Sequence, residues 1–591
     1  MPTINQLPTL DTLEPSNQVP TYSVENGDAR KFSLSTLTAY IQDNLALPDN
    51  AANITYDPAG TGAVSRTVQA KLRDVVSVKD FGAVGDGVAD DTAAIQACYT
   101  ASPGKEVDHG NGYTYLISSM LTLYSGSKYS GKSIIKQKNG AGIANPMLSG
   151  ATVNNVVVEN LEIDGNAAGN AAVQTFGVKF SAGTNNIVRD CNIHDTTLAG
   201  VYFDSETYSK ALDNHVINCG RNLGTDNHGI MLVSTTSTPL AHIVVDGNTV
   251  VNAYRKGITV YNATPGAVNG VDIVGNVVTA CATGGIYTAN ANAVTHGYQR
   301  GITVTGNRCY NNYTNIEVDC AIGAVVSGNT CDTTSGGQGI YSADCVYSSI
   351  VGNAVISSQA DGIKIIGITL NPTGNTISGN TVALSSQAGA GTYDGIICNG
   401  VTYSTIVGNA VLGETSSPKQ GYGIRESGAA DYNLIDNNRV ANTHTGTLAA
   451  TVGANTAIIN TLGKLTGVNA SVPNNTLDIG GGLSIRDKSI TLVNGANNNV
   501  ALPADSGTLY TAGPTGAYNI SGIAGGVSGR KLTLVNYTTQ TMTLNHNSGS
   551  SSAGNKILIG GSADLAISGY GAAELTYVAG ASAWFVTGVK A

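Results

Sequence analysis

Glu317 and Asp319 lie two residues apart in the segment NIEVD, Asn315 to Asp319, which reads as a short strand. Alternate residues of a strand face the same side, so both carboxyls leave one face with their Cα atoms about 6.6–7 Å apart. Acids held roughly 5 to 9.5 Å apart can divide the work of glycoside hydrolysis, one as proton donor and the other as base or nucleophile. A second group rivals them: Asp204 and Glu206 in YFDSE share a face by the same alternation, followed by Asp226 and His228 in TDNHG. An acid pair on a strand can also do no more than keep a surface soluble, and that alternative stands beside both groups. If the chemistry were β-elimination instead, it would need a base and a cation to stabilise the developing enediolate. Arg255, Lys256, His296 and Arg300 offer that set.

Other chemistries fail on context. Gly126 to Ser133 satisfies the phosphate-loop pattern GxxxxGK[ST], but SIIKQKNGAG follows and leaves no room for the helix that cradles a phosphate. GAVGDG at Gly82 lacks GxGxxG spacing. The 9 Cys are odd in number and scattered from Cys98 to Cys398, without metal-ligand spacing, so buried reduced thiols are expected and neither metal nor cofactor is. With 40 acids against 30 bases and no basic block, the chain carries no footprint for nucleic acid or an anionic membrane. It has no apolar run of the roughly 18 residues a membrane span needs. Met1 to Leu10 does not read as a secretory signal, so a soluble protein that leaves its cell by another route is expected.

The elements that would position these residues repeat. VDGNTV, IVGNVV, VTGNRC, VSGNTC, IVGNAV, ISGNTV, IVGNAV and IDNNRV place Asn248, Asn276, Asn307, Asn329, Asn353, Asn380, Asn409 and Asn438 at intervals of 22 to 31 residues. Asn214 and Cys191 fill the same slot upstream. Once per interval a second phrase recurs, Gly followed by a β-branched residue, as in GVYF, GITVY, GIYSA and GIKII. Two to three short strands per unit, with no helical period between them, describe the coils of a parallel β-helix. Gly and Asn are expected as its turn-formers, and Cys309 and Cys331 as small residues stacked inside adjacent coils.

In the Gly-Ile phrase the residue after Gly is apolar and must face inward, so the second and fourth residues face solvent. The second-position column runs Lys179, Tyr202, Met231, Thr259, Tyr287, Glu317, Tyr341, Lys364, Ile397 and Arg425, and the fourth includes Asp204, Tyr261 and Asp319. Tyr rings with carboxylates between them are what a sugar groove requires. The candidate catalytic residues are therefore Glu317, Asp319, Asp204, Glu206 and Asp226. Tyr202, Tyr261, Tyr287, Tyr341, His228, Arg255 and Arg300 are the candidate substrate-binding residues.

Upstream, VSVKDFGAVGDGVADDTAAIQA (76–97) reads as a strand, a Gly-rich turn and a helix capped by Asp90 or Asp91, suited to closing the first coil. Asp80 and Asp86 read there as turn and cap residues. This segment resembles the opening motif of pectate-lyase-like right-handed β-helix proteins, and with YDPAGTGAVSRTVQAKLRDV before it closely resembles bacteriophage tailspikes. The phrase VALPADSGTLYT resembles one found in phage tail fibres. The resemblance implies an all-β homotrimer in the virion tail, made in the host cytoplasm and acting outside the bacterial cell. It divides the chain into a virion-attachment segment (1–50), a neck (51–75), the β-helix with its capping helix (76–445) and a C-terminal β-sandwich-like domain for trimerisation or glycan binding (446–591). The implied partners are phage baseplate or tail proteins and a bacterial surface polysaccharide, capsule or O-antigen. Endo-glycosidic hydrolysis is the expected activity, with polysaccharide lyase or non-cleaving adhesin as alternatives. The opening motif assigns no catalytic residue.

Overall fold

A computed structural model describes residues 14–590 apart from 24, 26–27, 45–49, 145, 222–226, 237, 264–267, 291–296, 416–418, 449–451, 460–486 and 504–506. The chain divides into two compact units, Met1–Val472 and Pro473–Ala591.

The first unit is a stack of coils. One face is a 13-stranded sheet. Its parallel strands in chain order are β1 (Leu121–Thr122), β2 (Leu148–Ala151), β3 (Val178–Ser181), β4 (Val201–Asp204), β5 (Ile230–Ser234), β6 (Lys256–Asn262), β7 (Gly284–Asn290), β8 (Ile316–Asp319), β9 (Ile340–Ala343), β10 (Ile363–Ile366), β11 (Ile396–Asn399), β12 (Tyr422–Ser427) and β13 (Gly446–Leu448). Short strands on the other two faces also pair in parallel with their counterparts one coil away. The stack runs past residue 445, since β13 pairs with β12, and Ala457–Ile459 pairs with Leu434–Asp436. Val, Ile and Leu from every coil fill one continuous core, and burying that apolar surface is the main stabilising term.

Asn does not form the turns in the repeated phrase. The preceding residue takes the left-handed conformation, as with Gly247, Gly275, Gly306 and Asn437, while the Asn itself turns inward. Asn307 Oδ1 accepts hydrogen bonds from both the backbone N and Nδ2 of Asn276, and Asn307 Nδ2 donates to Asn329 Oδ1 at 3.0 Å. This amide ladder runs unbroken from Asn214 to Asn438. Cys309 and Cys331 pair in register beside it, both buried, as their spacing predicts.

The helix Thr92–Ala101 closes the first coil, burying Ile95, Cys98 and Tyr99. Asp91 accepts from the backbone N–H groups of Val84 and Gly85, Asp90 from Thr92, and Asp86 from Val88 and Ala89, so these acids are turn and cap residues. The phosphate-loop look-alike continues directly into the strand Lys128–Gln137. Farther upstream, Gln18–Ser23 and Asp28–Ser33 form an antiparallel pair, and Ser33 Oγ accepts from Thr36 N at the start of the helix Leu34–Asn44.

The second unit has its own core around Leu509, Leu534 and Trp584. The segment AELTYVAGASAWFVTG is an antiparallel pair, Ala572–Val578 with Ala583–Lys590. The segment VNGANNNVALPADSGTLYT is not a hairpin. Its strands Gly495–Asn497, Val500–Ala501 and Thr508–Ala512 each pair in parallel with a strand one turn later.

Candidate functional site

The outward column is continuous in register: Lys179, Tyr202, Met231, Thr259, Tyr287, Glu317, Tyr341, Lys364, Ile397 and Arg425 are successive Cα partners along the 13-stranded face. Its two halves differ. Between β3 and β5 the face is covered: Tyr202 and Met231 are buried with Phe176, Leu198 and Val233, and Tyr261 is half-buried against them. From β7 onward Tyr287, Glu317, Tyr341, Lys364 and Arg425 keep part of their surface in solvent.

The open half centres on β8. Glu317 is half-buried and its Oε2 lies 2.7 Å from Lys256 Nζ, although Lys256 belongs to β6, two coils away. Lys256 spans the intervening coil over Tyr287, with its ammonium 3.5 Å from the ring centroid, a cation–π contact. Gly284 makes room for this path, because a Cβ there would meet Lys256 Cδ at 2.9 Å. Asp319 keeps some solvent contact as a residue, but its Oδ1 is enclosed and has no hydrogen-bond partner. Burial first, and then the neighbouring Glu317 charge, raise the Asp319 carboxyl well above the usual carboxylate range, which favours its protonated form. On one strand the sequence thus sets an acid ion-paired to Lys256 beside an enclosed acid whose pKa is raised.

Burial also raises the phenols. Tyr287 moves farther from its ordinary value and Tyr341 is pushed up to about 12, with Asp319 and Glu317 adding to the effect on both. Both rings are therefore neutral, presenting flat apolar faces and O–H donors. Asp344, on the turn after β9, accepts from the backbone N–H groups of Ile368, Thr369 and Leu370 and anchors the loop beside the acids.

The second acid group is not a paired site. The backbone turns left-handed at Ser205, so Asp204 and Glu206 do not share a strand face. Glu206 is fully buried and accepts from Gly183 N, Asn186 Nδ2 and Ser209 Oγ, tying coils together. Asp204 accepts from Thr235 Oγ1. His228 is buried, with Nδ1 2.9 Å from Thr259 Oγ1. Arg255 precedes β6, and its backbone N donates to Asn227. Arg300 lies in Gln299–Thr305, a strand of another face, and so does not join Glu317. Asp226 and His296 fall outside the described residues.

Among the described residues, Asp164, His194 and Asp195 have ligand atoms within 4.8 Å of one another. The protein's own cations already occupy this cluster, with Lys136 Nζ 2.6 Å from Asp164 and Arg221 3.7 Å from Asp195.

Residues 118–297 match the family described as "Right handed beta helix region", and residues 269–395 match one described as "Periplasmic copper-binding protein (NosD)". The chain carries a right-handed β-helix. Its fold is similar to tailspike protein 3 of bacteriophage CBA120, at 14% identity, a TM-score of 0.52 and coverage of 73% of this chain and 70% of that one. A mutant tailspike of E. coli bacteriophage HK620, solved with a hexasaccharide, aligns at 15% identity and a TM-score of 0.47 over 72% of this chain and 84% of that one. In sequence, one stretch of 59 residues is 48% identical to the tail spike protein of an Escherichia phage, spanning 10% of this chain and 7% of that protein.

Proposed function

We propose that the protein is a phage tailspike that binds a bacterial surface polysaccharide and cleaves it internally by hydrolysis. The observation that carries this reading is the pairing on β8 of an acid ion-paired to Lys256 with a neighbouring, enclosed acid whose pKa is raised by burial. Asp319 would donate its proton to the leaving glycosidic oxygen as the C–O bond breaks. Glu317 would act from the sugar's other side, as nucleophile or as base for the attacking water. Tyr287 and Tyr341 flank Glu317 on the neighbouring strands and would stack against pyranose faces. Elimination is less well served, because Lys256 is engaged with Glu317 and the nearby phenols are raised away from the anionic form.

The sequence similarity to a tail spike protein and the shared fold support a place in the virion tail. In the same reading residues 1–50 attach to baseplate or tail proteins, the chain assembles as a homotrimer, and the second unit, Pro473–Ala591, serves trimerisation or glycan contact.

Incubation with capsular or O-antigen polysaccharide provides the test. New reducing ends without ultraviolet-absorbing unsaturated sugars are expected. Unsaturated ends would make the protein a lyase, and binding with no fall in chain length would make it an adhesin.

A further inference from the structure

A second set of charged side chains lies on the same face, on the coils after Tyr341. Asp361 and Asp394 each stand immediately before the Gly that opens a strand, at Gly362 and Gly395, and both are buried. Each commits one oxygen to the next coil: Asp361 Oδ1 accepts from Asp394 N, and Asp394 Oδ1 from Tyr422 N, both at 2.8 Å. Above them, in the outward column, lie Lys364 and Arg425 with Ile397 between. Lys364 Nζ is 3.9 Å from Asp361 Oδ2, beyond hydrogen-bond reach. Arg425 Nε touches Asp394 Oδ2 at 2.5 Å, yet neither atom makes an aligned hydrogen bond. Each acid thus joins coils through one oxygen and pairs with a cation through the other, and among the described residues Lys364 Nζ and the terminal nitrogens of Arg425 make no hydrogen bond within the protein.

We propose that Lys364 and Arg425 form a subsite for the carboxylate of an acidic sugar, such as a uronic acid, in the same polysaccharide that reaches Glu317 and Asp319. This rests on the glycan-binding reading above. Lys364 is the register partner of Tyr341, itself the partner of Glu317, so two strand spacings, about 10 Å, separate the cation from the acid pair. Arg425 lies two strands farther along the same line. A guanidinium can grip a carboxylate with two parallel hydrogen bonds, and an ammonium adds a point charge. Burial raises both Asp361 and Asp394, the latter to about 6.

The test uses the full-length protein on bacterial capsular and O-antigen polysaccharides, each immobilised both native and with its carboxylates chemically reduced to alcohols. Wild type should favour native acidic chains at least tenfold over their reduced forms. Lys364→Gln with Arg425→Gln should lose that preference while binding the reduced chain as before. Asp361→Asn with Asp394→Asn keeps both cations and should bind the native chain as well as wild type or better. This second variant also separates lost recognition from lost folding. A neutral glycan bound by wild type and the Gln variant alike would overturn the subsite while leaving glycan binding intact. If no polysaccharide bound to any variant, the subsite and the glycan-binding reading would both fall.

Discussion

Lys256 Nζ meets Glu317 Oε2 at 2.7 Å across two coils, and its ammonium rests on the Tyr287 ring that separates them. The contact fixes the direction of the Glu317 carboxylate, while burial raises the Asp319 carboxyl two residues on. Glu317→Gln and Asp319→Asn should each lower the rate of polysaccharide cleavage by about 10²–10⁴-fold, the range for losing an acid–base group. Thermal melting should barely move. Full activity in both variants, measured as reducing ends released, would remove β8 as the catalytic strand.

Gly284→Ala probes the same contact without altering a charged group. Its new methyl would stand in the path of Lys256, forcing the ammonium away from Glu317. Misplacing a catalytic group by about 1 Å can cost about a hundredfold, so a tenfold to hundredfold fall in kcat is expected, with KM little changed. Unchanged kinetics would show that the Lys256 bridge does not set the geometry of the acid pair.

Activity should fall as the solution becomes alkaline. Burial and Glu317 raise the Asp319 pKa, so the proton-donating form persists to higher pH than in an ordinary carboxyl and disappears as pH climbs past that raised value. The pH profile of kcat/KM should therefore have a descending alkaline limb that Asp319→Asn abolishes along with the rate. Activity rising steadily into alkaline solution would instead indicate that the protonated acid is not used.

Asp394 gives stability a pH dependence of definite sign. In the folded chain it holds its proton up to about 6, against an ordinary 3.8. Between those values the folded state binds more protons than the unfolded one, so stability must fall as pH rises through the window and then level off. Asp361 is raised as well and adds in the same direction. Asp394→Asn should flatten this slope, recovering on the order of 1–2 kcal/mol at pH 7 relative to pH 4. Denaturation curves at the two pH values measure it, and an unchanged slope would mean that Asp394 ionises normally.

The repeat interval exposes the coil stack because each coil must place one inward strand residue and one turn at fixed spacing. The register of the outward column follows from the same constraint. Alternation alone does not show which half of that column is open. Tyr202 reads as exposed by period, but Phe176 and Leu198, from segments outside the strand, cover it. Nor does spacing show that Glu206 turns inward, since the left-handed Ser205 breaks the alternation that pairs it with Asp204. Lys256 stands out as a cation, but its tie to Glu317 depends on a path across Gly284 that only three dimensions reveal. Asp361 and Asp394 do leave a signal, the repeated Asp-Gly-Ile of DGIKII and DGIICN. It is masked because Gly-Ile reads as strand grammar and the residue before it as part of a turn.

The inward-turned Asn separates two explanations of what holds successive coils together. Asn307→Ala would remove the acceptor for both Asn276 N and Asn276 Nδ2 inside a buried ladder. Asn276 Nδ2 keeps its bonds to the carbonyls of Val245 and Val274, but Asn276 N is left stranded, and a stranded buried donor costs about 1–3 kcal/mol. Gly306→Ala changes the neighbouring turn instead: a Cβ there has no atom within 4 Å, so only its left-handed φ of 66° penalises the substitution. That penalty is about 1–2 kcal/mol. Chemical denaturation should therefore rank Asn307→Ala as the more damaging variant. If Gly306→Ala destabilised equally or more, the turn conformation rather than the amide stack would be the element that joins the coils.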